Sequence, residues 1–169
     1  MMMKRIFWTS FLSALMLSAM ANQTAKVVRV WDGDSFNLLV KGEVISTRLA
    51  NVDAPEMNQL WGKESQREVS KLILGKDVEF ENLGLDKYKR TLVMIYLKGE
   101  RLDSLLIANG LAWHYVNFSK DEMLAKCQTI AVDKKLGLWE CGAKGVCPPW
   151  LFRQYNYRNK LKYCKGCSK

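Results

Sequence analysis

The stretch that decides the fold reads SFNLLVKGEVISTRLANVD and spans residues 35–53. Two runs rich in β-branched and apolar residues, 35–40 and 44–52, flank the dipeptide Lys41-Gly42. Short runs of this composition, separated by a turn that contains Gly, are typical of two paired strands. The stretch therefore predicts a β-hairpin.

The predicted hairpin brings acidic side chains together at its open end. Asp34 lies at its start, nearly opposite Asn51, and Asp53 follows about two residues, or ~7 Å, further along. Carboxylate oxygens, completed by backbone carbonyls and water, are the ligands that a hard divalent cation prefers. Asp is also favoured in ordinary turns, so Asp32, Asp34 and Asp53 fit that alternative too. An EF-hand loop starting at Asp32 is disfavoured, because no Gly occupies its sixth position.

The surrounding sequence predicts the other elements of a small barrel. Residues alternate as a first strand from Thr24, and the later pattern predicts two more strands and three helices. The strands are residues 78–82 and 91–97, and the helices are residues 61–74, 102–109 and 119–135. Five short strands with helices between and after them predict an α+β fold. We expect a five-stranded Greek-key barrel of the oligonucleotide-binding (OB) type with about three helices.

The last of these helices carries two further patterns. Ser119 and Glu122 have the spacing of a capping box, which predicts the start of the helix. Apolar residues then recur at helical spacing and predict a buried stripe. The stripe comprises Met123, Leu124, Cys127, Ile130 and Ala131.

The chain begins with the features of a secretory leader. Lys4 and Arg5 precede an apolar run over residues 6–20, and Ala-Met-Ala at 19–21 fits a signal-peptidase site. An uncleaved membrane anchor is disfavoured, because a bilayer span needs about 20 apolar residues. We predict a signal peptide at residues 1–21, an OB-fold domain at 22–140 and an extension at 141–169. The mature protein is expected to be secreted or periplasmic.

The charge of the chain points to polyanionic partners. The chain has 26 Lys and Arg against 17 Asp and Glu, a net charge of +9 that becomes +7 without Lys4 and Arg5. A cationic surface attracts nucleic acid through long-range attraction and counterion release. The charge argues against binders that present an acidic surface and against small cationic substrates.

Three further side chains add a second kind of chemistry to the acidic pair. Arg48 lies on the second hairpin strand, Glu56 follows Asp53 closely, and Arg90 begins a later strand. Cleavage of a phosphodiester needs a metal, cationic donors to the phosphate oxygens, and a group that positions or deprotonates water. Arginine suits the phosphate because its planar guanidinium group donates two parallel hydrogen bonds to phosphate oxygens. Surface salt bridges are the common alternative for any single arginine.

At this point the sequence resembles the staphylococcal (micrococcal) nuclease family, the thermonucleases. Four fragments occur in the order of that family and with roughly its spacing, between about residues 25 and 139. They are VWDGDS at 30–35, RLANVDAPE at 48–56, DKYKR at 86–90 and NGLA at 109–112.

The resemblance implies a metal site and a phosphate site. Asp34 and Asp53 would hold one Ca²⁺, together with the backbone carbonyl of Ala54. Arg48 and Arg90 would bind the scissile phosphate and stabilise its developing charge. Oxygen ligands alone would also admit Mg²⁺ or Mn²⁺.

The resemblance also implies the reaction and its substrate. Glu56 would serve the attacking water as general base or as its positioner, and cleavage of DNA or RNA would leave 3′-phosphate ends. Lys87 and Tyr88 match positions that contact a terminal phosphate. The base-stacking ring is expected near Tyr115 and Phe118, with Phe118 as the candidate.

Two positions depart from the family pattern. Lys89 replaces the Gly that is common before Arg90, and a positive φ there would strain it by roughly 1 kcal/mol. Ala54 replaces a Thr of the best-known member, which leaves a backbone carbonyl ligand intact.

The five cysteines all lie in the last third of the chain. Cys127 falls on the apolar helix stripe and is expected to be a buried thiol. The other four, Cys141, Cys147, Cys164 and Cys167, suit either two disulfides or a Cys₄ zinc site. A leader peptide favours disulfides, and four cysteines allow three pairings. The single histidine, His114, lies among aromatic residues and is expected either to serve packing or to lie on the surface.

The tail interleaves aromatic and basic residues over residues 147–169. Such a segment suits single-stranded nucleic acid, where bases stack on rings. A disulfide-pinned extension packed on the barrel is the alternative that we favour.

We expect a monomer with no stable protein partner and no membrane contact beyond the leader. A non-catalytic nucleic-acid-binding module and a calcium-binding structural domain remain the alternatives to a nuclease.

Overall fold

Five strands close into a barrel in the computed structural model, which describes residues 23–144 and 146–166. The described residues form eight strands, five of which make the barrel: β1 (Gln23–Val30), β2 (Ser35–Val40), β3 (Glu43–Leu49), β4 (Val52–Asp53), β5 (Asp77–Leu85), β6 (Thr91–Leu97), β7 (Glu100–Arg101) and β8 (Trp113–His114). Antiparallel pairing runs in the order β3-β2-β1-β5-β6, and a parallel pairing of β3 with β6 closes the barrel. The predicted five-stranded OB-type barrel is confirmed. The predicted signal peptide, residues 1–21, lies outside the described residues.

Helices cover the ends and sides of this barrel. They are α1 (Gly62–Ile73), α2 (Leu102–Ala108), α3 (Glu122–Asp133), α4 (Pro149–Gln154) and α5 (Tyr157–Tyr163), with a 3₁₀ turn at Gly137–Trp139. The first three correspond to the three predicted helices, and the two short ones belong to the C-terminal extension. None of the helices in the described part of the chain has the length and apolar character of a membrane span.

The core forms where the alternating strand residues meet the helices. Phe36 and Leu38 of β2 and Val93 of β6 are fully buried. Ile73 of α1 and Leu106 of α2 are also fully buried in the same cluster. Because side chains on a strand alternate between its two faces, the other residues of these strands are free to serve the surface and the site.

The predicted hairpin is present, but its register differs from the predicted one. Ser35 pairs with Arg48, and the Leu49 N–H donates to the Asp34 carbonyl at 2.8 Å. Asp34 thus lies opposite Leu49, so the predicted position opposite Asn51 is wrong. The cause is the two-residue turn at Lys41-Gly42, which pairs Val40 with Glu43 and carries the same register to Asp34 and Leu49. Asn51 lies beyond this pairing, in a left-handed conformation with φ of 66°. Asn tolerates this conformation better than most residues, and it lets the chain turn into β4.

Helix α3 begins later than its predicted capping box. Its N-cap is Asp121, whose Oδ1 accepts from the N–H groups of Met123 (2.9 Å) and Leu124 (3.3 Å). The prediction of Ser119 as the cap is therefore wrong; its Oγ accepts from the Asp121 N–H instead (3.3 Å).

The predicted apolar stripe of α3 is only partly buried. Leu124 and Ala131, which lie two turns apart on one face, are fully buried. Met123 and Ile130 each lie one residue earlier, about 100° round the helix, and are exposed. Cys127 is a free thiol at the edge of the core and only partly buried, so the prediction of a fully buried thiol is wrong.

The C-terminal extension packs on the barrel. A disulfide joins Cys147 to Cys164 and encloses α4 and α5. The Gln59 Nε2 donates to the Cys147 carbonyl (2.5 Å), and the Trp150 ring stacks on Tyr115 with centroids 5.4 Å apart. These contacts fix α4 beside the open end of the hairpin.

The loop between β5 and β6 contains a strained residue. Lys89 has a φ of 63°, which confirms the left-handed conformation expected there. We predict that Lys89→Gly raises the free energy of unfolding by about 0.5–1 kcal/mol, because Gly adopts this conformation without strain. Chemical denaturation measures the change.

Lys87→Gly is the matched control, because it makes the same substitution in the same loop at a residue with negative φ. It should leave stability unchanged or lower it, since Gly there only adds unfolded-state entropy. An equal gain in both variants would contradict the strain at Lys89.

Candidate active site

Two buried aspartates share one arginine at the open end of the hairpin. Asp34, just before β2, is 4% exposed, and Asp53 of β4 is 1% exposed. Arg48 of β3 pairs its Nη1 with Asp34 Oδ1 and its Nη2 with Asp53 Oδ1, the latter at 2.9 Å. The side chain of Arg48 is itself only 12% exposed. The structure therefore brings the two predicted metal ligands to a single cationic group.

The turn before β2 aims Asp34 into this site. Asp32 acts as the turn residue, because its Oδ1 accepts from the Asp34 N–H (3.0 Å). Gly33 between them has no room for a side chain: a Cβ there would lie 2.3 Å from Ser65 Oγ. The Asp34 Oδ2 accepts from the Ala54 N–H at 2.5 Å, which ties the turn to the residue after β4.

Burial dominates the protonation of Asp34. Removal from water raises the pKa of Asp34 to about 7, although the nearby positive charge of Arg48 opposes the rise. A bound cation would favour the charged form of this carboxyl group. Within the protein, the Arg48 guanidinium and the Ala54 N–H stabilise its charged form.

Arg90 joins the same network from the neighbouring loop. Its Nη1 lies 3.3 Å from Ser35 Oγ, which in turn donates to Asp34 Oδ1 at 3.2 Å. Asp86 holds Arg90 through its Oδ2, which accepts from the Nε (2.8 Å) and Nη2 (2.7 Å). Asp86 Oδ1 also accepts from the N–H groups of Tyr88 (2.8 Å) and Arg90 (2.9 Å). Asp86 thus orients Arg90, a role that was not predicted although Asp86 was part of the DKYKR fragment.

Glu56 lies at the edge of the site. Its side chain is 35% exposed, so water can reach the carboxylate. Its backbone is fixed by a bond from the Glu56 N–H to Gln59 Oε1 (3.1 Å). The position is consistent with a group that handles water beside the two aspartates.

A third arginine enters the site from the extension. Arg153 of α4 donates from Nη2 to Asp53 Oδ2 (2.8 Å) and from Nη1 to Asp53 Oδ1 (3.2 Å). The same Nη1 donates to Glu56 Oε1 at 2.7 Å. Sequence reasoning missed this residue, which is 100 positions from Asp53. The only available signal was the basic composition of a tail bracketed by cysteines.

The donor set suits a hard divalent cation. Asp34 and Asp53 supply carboxylate oxygens next to the Ala54 backbone, and such a cation completes its shell with carbonyls and water. Among the described residues, no cluster of three or more His, Cys, Asp or Glu side chains is arranged as a metal site. A cation here would therefore rely on two carboxylates with backbone and water oxygens.

The predicted substrate-contact residues lie on the surface around the site. Lys87 and Tyr88 are exposed beside Arg90, whose guanidinium carbon lies 5.5 Å from the Tyr88 ring centroid. Phe118 is exposed and lies 4.7 Å from the Tyr115 ring, centroid to centroid. No contact among those of the described residues joins Phe118 directly to the two aspartates.

Two further predictions concern residues outside the acidic pair. His114 is buried, and removal from water lowers the pKa of its imidazole, as expected for a packing residue. The Cys147–Cys164 disulfide takes two of the four thiols that a Cys₄ zinc site would need, so that zinc alternative is wrong. Cys141 is also disulfide-bonded. Cys167 lies outside the described residues.

Fold and site together define an OB-barrel protein whose carboxylates and arginines suit a metal ion and a phosphate. The model of the family described as "Staphylococcal nuclease homologue" matches residues 46–141. The chain belongs to this family, and the resemblance found in the sequence is confirmed.

Relatives from several bacteria match most of the chain. An "Uncharacterized endonuclease" from Haemophilus influenzae is 36% identical over 143 residues, which cover 82% of this chain and 80% of the relative. A protein of the same description from Escherichia coli O157:H7 is 35% identical, covering 76% and 83% of the two chains. A "Micrococcal nuclease" from Shigella flexneri is 29% identical, covering 80% and 83%.

The bonds of Asp86 generate a prediction on acid stability. Although burial opposes it, hydrogen bonds from Arg90 and Tyr88 lower the pKa of Asp86 below its ordinary value. A carboxyl group whose pKa is lower in the folded protein stabilises the fold at pH values above its pKa in the unfolded chain, near 3.8. That stabilisation is lost as the pH falls through the pKa of the folded protein. We predict that Asp86→Asn costs about 1–2 kcal/mol at pH 7 and progressively less below about pH 4.

Denaturant unfolding of both proteins between pH 7 and pH 3 measures this difference. Asp77→Asn, at an exposed position where β5 begins, is the matched control and should change stability little at any of these pH values. A difference for Asp86→Asn that stays constant with pH would contradict the assigned role.

Proposed function

We propose that the protein is an exported, Ca²⁺-dependent endonuclease that hydrolyses phosphodiester bonds of DNA and RNA and leaves 3′-phosphate ends. Its family and its endonuclease relatives make the chain a nuclease, a hydrolase that acts on nucleic acid. The observation that carries the finer proposal is one continuous chain of polar contacts. It runs through Arg90, Ser35, Asp34, Arg48, Asp53, Arg153 and Glu56.

The two aspartates are the proposed ligands of the divalent cation. Asp34 and Asp53 are buried, acidic and held by one arginine, and the Ala54 carbonyl is the proposed third protein ligand. A bound Ca²⁺ supplies positive charge that polarises the phosphate and its attacking water. The role of the protein is to keep the two carboxylates fixed at one buried position.

Arg48 and Arg90 are the proposed phosphate ligands. Both are positioned by carboxylates, Arg48 by the two aspartates and Arg90 by Asp86. Fixed guanidinium groups stabilise the negative charge that develops on phosphate oxygens, with little reorganisation during the reaction. Because Asp86 occupies Nε and Nη2 of Arg90, Nη1 is the nitrogen directed toward Ser35 and the acidic pair.

Glu56 is the proposed partner of the attacking water. Its carboxylate accepts or orients a water proton while the water oxygen attacks phosphorus. The bond from phosphorus to the 5′-oxygen then breaks, and the leaving oxygen takes up a proton. This step leaves the phosphate on the 3′ side of the cut.

The surface around the site supports a nucleic-acid substrate. Lys87 and Tyr88 lie beside Arg90 and are proposed to contact a terminal phosphate, and the exposed ring of Phe118 is proposed to stack on a base. The net charge of +9, or +7 without Lys4 and Arg5 of the proposed leader, attracts polyanions of any sequence. Export is supported by the Cys147–Cys164 disulfide, since disulfides persist in oxidising compartments.

Cleavage assays with labelled DNA and RNA test the proposal. We predict cutting with added Ca²⁺, loss of cutting with chelator, and 3′-phosphate ends. Glu56→Gln should slow cleavage by about 10²–10⁴-fold, the usual contribution of a general base. Arg90→Ala should slow it by about 10²–10³-fold, because a donor to the developing charge is lost.

Glu43→Gln and Arg67→Ala make equivalent charge changes at exposed positions on β3 and α1 and serve as controls. Both should retain the wild-type rate. A folded protein that binds the strands but cuts none of them with any divalent cation would favour the non-catalytic binding module instead.

A further inference from the structure

Arg48 and Arg153 together occupy most of the hydrogen-bonding capacity of Asp53. An ionised carboxylate offers about four lone-pair sites. Arg48 uses one on Oδ1, and Arg153 uses a second on Oδ1 and a third on Oδ2. A divalent cation that needs an oxygen of Asp53 must therefore compete with a guanidinium already bound there.

The two arginines differ in how readily they can leave Asp53. Arg48 comes from a barrel strand, is 12% exposed and also contacts Asp34. Arg153 comes from the appended helix α4, is 44% exposed, and its other partner, Glu56, is itself partly exposed. Release of Arg153 breaks fewer buried contacts, so it is the group that a cation would displace.

The extension keeps Arg153 at this position. The Cys147–Cys164 disulfide encloses α4, and Cys147 is tied to the barrel by the bond from Gln59. Trp150, three residues before Arg153, stacks on Tyr115. A side chain held close to its partner acts at a high effective concentration, so it competes even with a cation that binds Asp53 well.

We propose that Arg153 is a built-in competitor of the divalent cation, so that the C-terminal extension restrains the active site until the cation displaces it. The Arg153 guanidinium neutralises Asp53, a proposed metal ligand. It also holds the carboxylate of Glu56, the proposed partner of the attacking water. Cation binding then requires Arg153 to leave Asp53, and this departure also frees Glu56. The inference rests on the proposed metal site at Asp34 and Asp53.

Calorimetric titration of the metal-free, disulfide-intact protein with Ca²⁺ tests the inference without reference to cleavage. Arg153→Gln should bind Ca²⁺ about 10-fold more tightly than the wild type, equivalent to about 1.4 kcal/mol. Arg153→Lys keeps the charge but loses the paired hydrogen bonds of a planar guanidinium, so its Ca²⁺ affinity should fall between those of the wild type and Arg153→Gln. Far-UV circular dichroism and the unfolding midpoint check that each variant is folded.

Arg158→Gln is the matched control, because it removes the same charge from an exposed position of α5. Its Ca²⁺ affinity should stay within about twofold of the wild type, since exposed charges act weakly through screened solvent. Equal tightening in both variants would show a general charge effect and overturn the competition at Asp53.

The outcomes separate this inference from the proposed function. Wild-type binding with unchanged or weaker affinity in Arg153→Gln overturns the competitor role and leaves the metal site intact. Absence of Ca²⁺ binding in both proteins overturns the metal site and the competitor role together. Tighter binding confined to the Arg153 variants supports both.

Discussion

The contact of Arg48 with both Asp34 and Asp53 is the interaction on which the rest of the site depends. The two aspartates come from different segments of the chain, one before β2 and one in β4, and both are almost fully buried. Burial and the neighbouring carboxylates raise the pKa of Asp34, and the positive charge of Arg48 opposes that rise. The Arg48 guanidinium thus joins the two acidic segments at one buried cationic group.

Closure of the barrel places the second arginine beside the first. The parallel pairing of β3 with β6 sets Thr47 against Thr91, so Arg48 and Arg90 each lie next to a residue of the closing pair. Asp86 then fixes the direction of Arg90 from within its own loop. The strained Lys89 in the same loop is tolerated because the surrounding bonds determine the turn. The register of the β3–β6 pair therefore determines where the two arginines of the candidate site lie.

Local patterns predicted most of the fold and of the candidate site, and long-range contacts account for what was missed. The hairpin and the helices were predicted from short stretches of sequence whose spacing is visible directly. The roles of the candidate site residues were inferred from the resemblance of four short fragments to the nuclease family. The register error arose because a two-residue turn at Lys41-Gly42 already sets Asp34 against Leu49. The capping error arose because α3 begins two residues later, where Asp121 accepts from the N–H groups of Met123 and Leu124. Arg153 could not be predicted, because its contacts with Asp53 and Glu56 depend on how the extension folds back over about 100 residues.

The central claim is that Asp34 and Asp53 form one site for a divalent cation. Anomalous diffraction from crystals of the full mature protein grown with Mn²⁺ tests it most directly, because Mn²⁺ accepts the same oxygen ligands and scatters anomalously. The account predicts a single strong peak within about 2.5 Å of a carboxylate oxygen from each of the two aspartates. A peak at any other place, or none at saturating Mn²⁺ with Arg48 and Arg153 still bound to Asp53, would contradict it.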